Sequence, residues 1–135
     1  MMNKDIAIKW VDALRSGYYE QCDGTLLEVD EGVANHCALG VLCDLAIQRC
    51  VIEEDAIVGQ TTVPHDVCMW AGLEDDQGPT VVYEGKRLSI VNLNDGWCPK
   101  EYEHHPGLSF DEIADIIEEQ VINNESEASN GYTKQ

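Results

Sequence analysis

Cys37 opens the apolar run Ala38-Leu39-Gly40-Val41-Leu42 and directly follows His36, which places a thiol where a helix should begin with an imidazole next to it in sequence. The positive end of a helix lowers a thiol pKa, and an imidazole is the common base for a cysteine nucleophile. With Asn94 or Asp95 orienting the imidazole and Gln21 donating to an oxyanion, a papain-like arrangement can be drawn. The spacing opposes it, because adjacent residues on a helix project about 100° apart and His36 is then badly aimed at Cys37. The Ala-Leu-Gly-Val-Leu context favours a different role, a small buried cysteine that lets its helix approach a neighbour.

A second set of side chains has the chemistry of a zinc site. His65 and Cys68 are three residues apart, on one face of a short helix, and Cys98 precedes His104 and His105 in a loop. Four ligands are present, but paired Cys-x-x-Cys spacing is not, and a helix plus a long loop is a loose frame for a closed tetrahedral site. The expectation is therefore no metal and no other cofactor, with His65, Cys68, Cys98 and His104 as the residues that would prove it wrong.

Two polar turns could meet in a third arrangement. Arg15, Ser16 and Gly17 with Gln21 form one, and Asn94-Asp95-Gly96 the other. Together Arg15, Gln21, Asn94 and Asp95 would line a small pocket for a neutral or singly charged ligand; the simpler alternative is that Asn94 and Asp95 close a turn through side-chain to backbone bonds.

The fourth feature is electrostatic. Asp111, Asp115 and Glu118 fall at i, i+4 and i+7, with Glu112 and Glu119 beside them, opposite an isoleucine face. Such a stripe is ordinarily a solvated helix face, yet carboxylates on a rigid rod can also imitate duplex phosphates and occupy a DNA-binding protein. An aromatic anchor for such a contact would be Trp97 with Tyr102, in the polar loop that follows Gly96.

The elements that must hold these residues can be read from periodicity. Ile6, Trp10, Ala13 and Leu14 predict a first helix ending near Ser16, before Gly17. Thr25 to Val29 reads as a strand or hairpin closed by Asp30-Glu31-Gly32. A central helix is expected from Asn35 as its cap, with Leu39, Leu42, Cys43 and Ala46 in its stripe. Pro64 starts a short third helix that Gly72 stops. Thr80 to Leu88 is a tight hairpin around Glu84-Gly85, and Ser89 caps a helical turn through Leu93, which Asn94-Asp95-Gly96 breaks. Trp97 to Gly107 is an irregular loop. Ser109 and Glu112 have capping-box spacing ahead of Ile113, Ile116, Ile117 and Val121, so a strongly amphipathic last helix follows. Trp10 and Trp70 are expected as core anchors.

Composition narrows the setting. The 135 residues are one domain's worth, assigned as a single α+β domain over 1–122 with a polar tail from 123 to 135, about four helices and a small antiparallel sheet or hairpin. The formal net charge of −18, with only eight Lys and Arg, argues against direct binding to nucleic acid, which needs clustered cations. No apolar run reaches the roughly 18–20 residues of a membrane helix, so no membrane partner is expected. Asp5 and Lys9 interrupt what would be the apolar part of an export signal; a cytoplasmic location with reduced cysteines follows as the expectation.

Four stretches read in order, Trp10 to Gln21 (WVDALRSGYYEQ), His36 to Leu45 (HCALGVLCDL), Trp70 to Leu73 (WAGL), and LNDG with SFDEIADIIE near the end, resemble an uncharacterised family of bacteriophage, prophage and actinobacterial proteins. The relatives often have a second cysteine where this chain has Ala38, and in them Asn-Asp-Gly runs almost directly into the last helix. Here the Trp97–Gly107 insertion intervenes. The resemblance implies a phage or prophage accessory gene expressed in a bacterial cytoplasm, and it carries no activity with it. The functional expectation is a non-catalytic accessory protein that binds a host protein with a basic surface. The alternative is a small-ligand binder or cysteine-dependent enzyme centred on Cys37 and Asn94-Asp95.

Overall fold

The computed structural model describes residues 2–98 and 104–123. Its first helix, α1 (Lys4–Arg15), is capped by Asn3, whose side-chain oxygen accepts from the Ile6 N–H at 3.1 Å, and it buries Ala7, Trp10, Val11 and Leu14. Three short strands follow: β1 (Glu20–Gln21), β2 (Leu27–Asp30) and β3 (Val33–His36). Glu31 and Gly32 both take positive φ, +50° and +80°, which is what a two-residue hairpin between right-twisted strands requires. The sheet order is β1-β3-β2, with β2 antiparallel and β1 parallel to β3. The parallel pair was not foreseen; residues 22–26 carry the chain from one side of β3 to the other.

The central helix α2 (Ala38–Gln48) begins two residues later than the sequence predicts. Asn35 is held in the β3 ladder opposite Glu28, and the cap is Cys37, whose sulfur accepts from the Gly40 N–H at 3.4 Å. Backbone pairing with β2 therefore outweighs the better capping side chain. The helix is buried on most of its circumference, at Ala38, Leu39, Gly40, Val41, Leu42, Cys43 and Ala46, and the indole N–H of Trp10 donates to the Ala38 carbonyl at 2.9 Å. Gly40 is where α2 meets the chain entering β2: a Cβ there would fall on the Leu26 carbonyl oxygen. Only glycine permits that approach.

A 3-10 turn at Glu54–Ala56 leads to α3 (His65–Ala71), which ends at Gly72 with φ +75° in the expected left-handed stop. The second sheet is the antiparallel hairpin β4 (Thr80–Tyr83) and β5 (Lys86–Ser89), turning through Glu84 and Gly85 at φ +50° and +79°. Ser89 and Asn92 form a capping box that starts α4 (Ile90–Asp95). Asn94 and Asp95 are thus the last residues of a helix rather than a turn, and Gly96 alone breaks it.

Ser109 and Glu112 make the expected capping box of α5 (Phe110–Ile117). Phe110, Ile113, Ala114, Ile116 and Ile117 are buried, and α1 is the main neighbour of α5. The rod continues as a π-helical segment over Glu118–Asn123, where the Gln120 amide accepts from the Val82 N–H at 2.7 Å and donates to the Val82 carbonyl at 2.6 Å. One side chain there completes the free edge of β4 as a further strand would. A single hydrophobic cluster joins all five helices and both sheets, which makes the protein one small α+β domain. The expected tail lies, from residue 124, outside the described residues.

Candidate functional site

Asn94 is the node at which the separate polar segments converge. It sits at the end of α4, is 6% exposed, and uses all of its side-chain polarity. Its Oδ1 accepts from Gln21 Nε2 at 2.9 Å and from the Ala38 N–H at 3.0 Å, while its Nδ2 donates to the Cys22 carbonyl at 2.9 Å and to Asp95 Oδ1 at 2.8 Å. Gln21 Nε2 also donates to the Leu108 carbonyl at 3.0 Å, and Asp95 accepts from the Gly24 N–H at 3.1 Å. Five segments are thereby tied together: β1, the β1–β2 connection, the start of α2, the end of α4 and the entry to α5.

Gln21, Asn94 and Asp95 therefore do meet, as the two-turn reading expects. Arg15 does not join them. Its guanidinium reaches Asp115 at 2.7 Å and Glu118 at 3.2 Å across the α1–α5 interface, and those carboxylates raise its already high pKa further. A groove of about 320 Å³ runs past Gln21, Asn94 and the Pro106–Ser109 backbone, but the Gln21 and Asn94 amides are already engaged with the protein.

Cys37 also comes close to Asn94 and Asp95. The three line a void with about 10 Å³ of free volume, together with Thr25 and Leu26, which is room for about one water and for no substrate. Burial pushes the Cys37 thiol up to about 11, against the smaller opposite effect of the Gly40 and Leu39 N–H groups. Cys37 is thus the small buried cysteine that its Ala-Leu-Gly-Val-Leu context favours, and desolvation outweighs the dipole. The papain-like arrangement fails at its other members too. His36 lies edge-on to Tyr19, ring centroids 5.0 Å apart, and burial lowers its pKa against the pull of Asp44 and Glu54. Its Nδ1 and the Thr25 hydroxyl are buried without a hydrogen-bond partner among the described residues. Gln21, the intended oxyanion donor, spends its N–H groups on Asn94 and Leu108.

The aromatic anchor needs correction as well. Trp97 is 8% exposed, stacked on His105 with centroids 4.0 Å apart and planes within 8°, and met edge-on by Tyr83. Trp97 and His105 also exchange backbone hydrogen bonds of 3.1 and 2.7 Å, clipping the two ends of the insertion together. An indole in a polar loop is buried because its own loop and the β4–β5 hairpin supply an aromatic box. Tyr102 lies outside the described residues. The exposed aromatic that sequence reasoning passed over is Tyr18, 80% exposed, three residues beyond Arg15.

The candidate metal ligands lie on α3 and in the 97–107 insertion. His65 opens α3, Cys68 Sγ faces the Val63 carbonyl at 3.9 Å, and Cys98 is exposed. His104 packs beside Gly96. Among the described residues no three His, Cys, Asp or Glu side chains form a metal-binding group.

Asp111, Asp115 and Glu118 share the exposed side of α5 and its extension, with Glu112 and Glu119 also exposed. Arg15 partly neutralises Asp115 and Glu118 but leaves Asp115 with 73% of its side chain exposed, and Glu112 is engaged in the cap. The described helices include none long and apolar enough to cross a membrane.

What the fold and this surface define is a small α+β domain with an acidic outer helix and a fully bonded polar node at its centre. The chain belongs to the family described as Domain of unknown function (DUF8296), whose match covers residues 2–121. No curated protein and no solved structure matches it significantly.

Proposed function

We propose that the protein is a non-catalytic binding protein that recognises a basic face on a partner protein through the acidic side of α5. In the phage or prophage setting that the sequence motifs imply, the partner is a protein of the bacterial host and both act in its cytoplasm. The observation that carries this reading is the run of exposed carboxylates Asp111, Asp115, Glu118 and Glu119, for which Arg15 is the only cation within salt-bridge distance among the described residues. On a chain of net charge −18, this surface repels nucleic acid and attracts cationic surfaces, steering encounter and selecting partners. Affinity also needs a desolvated anchor, and Tyr18, beyond the α1 end that Asp115 and Glu118 grip, takes the part first assigned to Trp97. A cysteine-dependent enzyme has no comparable support, since Cys37 is buried and its thiol is held protonated.

The test is capture from bacterial lysate with three baits: wild type, a variant carrying Asp111→Asn, Asp115→Asn and Glu118→Gln, and Tyr18→Ala. Expected is a basic host protein held by wild type, weakened as salt rises, and lost or much reduced in both variants. Equal retention by all three baits, each checked for an unchanged melting temperature, refutes the proposal.

A further inference from the structure

A larger cavity lies elsewhere, between α1, the end of α2 and α3. It encloses about 560 Å³, within the usual range for sites that take small organic molecules. Its apolar walls are Ile6, Leu45, Val51 and Trp70, all half-buried against the core, and its rim carries Lys9 and Arg49. Trp70 was expected as a core anchor like Trp10. Unlike Trp10, whose indole N–H is bonded to the Ala38 carbonyl, Trp70 leaves its ring partly open and its N–H without a partner among the described residues.

The two cations are the second observation. They are two of only eight Lys and Arg residues in a chain with 26 Asp and Glu. Arg15 pairs with carboxylates, whereas Lys9 and Arg49, like Lys86 and Arg87, have no carboxylate within salt-bridge distance among the described residues, and of these only Lys9 and Arg49 line the cleft. Gln48 beside them donates to Asp44 at 2.9 Å. Two unpaired cations at the mouth of an apolar cleft with an open indole face complement a planar apolar body bearing one anionic group.

We infer that this cleft binds a small aromatic anion, its ring stacked on Trp70 among Ile6, Leu45 and Val51 and its phosphate or carboxylate held by Lys9 and Arg49. The overall charge of −18 restricts the ligand to one small anionic group, since an extended polyanion would meet the repulsion of the whole surface while gaining only two cations. The site is independent of the acidic face: Lys9 and Arg15 are six residues apart on α1, roughly 120° around the helix.

The probe is 8-anilinonaphthalene-1-sulfonate, titrated into the native full chain with dye fluorescence and tryptophan quenching as readouts. Expected is one site per chain. The double variant Lys9→Gln with Arg49→Gln weakens it roughly tenfold or more, the loss of two charge-assisted contacts. Trp70→Leu weakens it, because the stacking surface for the dye ring is lost. The neutral N-phenyl-1-naphthylamine binds at least about tenfold less tightly than the sulfonate, for the same lost contacts. Adenosine monophosphate and indole-3-acetate are added as competitors: displacement by either supports the assignment and identifies the head group as phosphate or carboxylate, and displacement by neither overturns it. Unchanged binding in the double variant, melting at the wild-type temperature, overturns it as well. So does equal affinity for the neutral dye, or sedimentation showing a dimer that shields Trp70. Failure here leaves the lysate experiment unaffected, because no variant is shared.

Discussion

Replacing Asn94 with alanine removes four hydrogen bonds at once, and their surroundings set the cost. The Ala38 N–H lies in the buried first turn of α2 and loses its acceptor, while the Cys22 carbonyl loses a donor beside a groove that admits water. A buried unsatisfied group costs about 1–3 kcal/mol, so with partial rescue at Cys22 the expected loss is on the order of 3–5 kcal/mol, a large part of the ~5–15 kcal/mol that holds a domain folded. Urea denaturation followed by far-ultraviolet circular dichroism measures it. Asn94→Asp sharpens the reasoning, because it keeps both acceptor bonds, loses both donors, and places a carboxylate against the Cys22 carbonyl and Asp95. Those neighbours raise the folded-state pKa of the introduced group above its unfolded value of about 3.9. Its penalty is therefore absent below the unfolded value and grows as pH rises through the folded one. The stability deficit of Asn94→Asp relative to wild type should shrink as pH is lowered from 7 toward 4, while that of Asn94→Ala stays constant. An Asn94→Ala protein within about 1 kcal/mol of wild type, the worth of one ordinary hydrogen bond, would refute the view that this node holds the segments together.

Gly40→Ala should abolish the native fold at room temperature, since the added methyl meets backbone at Leu26 and neither α2 nor the entry to β2 can give way; a folded, cooperatively melting variant would show the approach to be looser than described. Ile113→Ala, at a fully buried position between α5 and α1, should cost about 2–5 kcal/mol in chemical denaturation. Thiol titration at pH 7 should find Cys50 and Cys98 fast and Cys37 slow, because a thiol pushed up to about 11 is ionised on the order of one part in 10⁴ at that pH and is also covered. Rapid labelling of Cys37 in the native protein would contradict both its burial and its role as the α2 cap.

Local signals carried most of the secondary structure. The capping box at Ser109 and Glu112, the glycine stop at Gly72 and the Glu84-Gly85 hairpin are set by interactions within about four residues, so they are legible without knowing the fold. The isoleucine face of α5 is a matter of period alone, and its opposite face had to be acidic and exposed. Tertiary structure decided everything that depends on which segments meet. β-pairing across the Glu31-Gly32 turn held Asn35 in a strand and passed the α2 cap to Cys37. Packing against Leu26 and the Asn94 node buried that thiol, so desolvation outweighs the helix-start effect on its pKa. Arg15 could have joined Gln21 and Asn94 on sequence grounds, but α1 lies along α5 and gives it to Asp115 and Glu118. Trp97 and Trp70 exchanged expectations for the same reason: a side chain's exposure depends on what other segments bring to it, and His105 with Tyr83 closed over one indole while α1 and α2 left the other open beside Lys9 and Arg49.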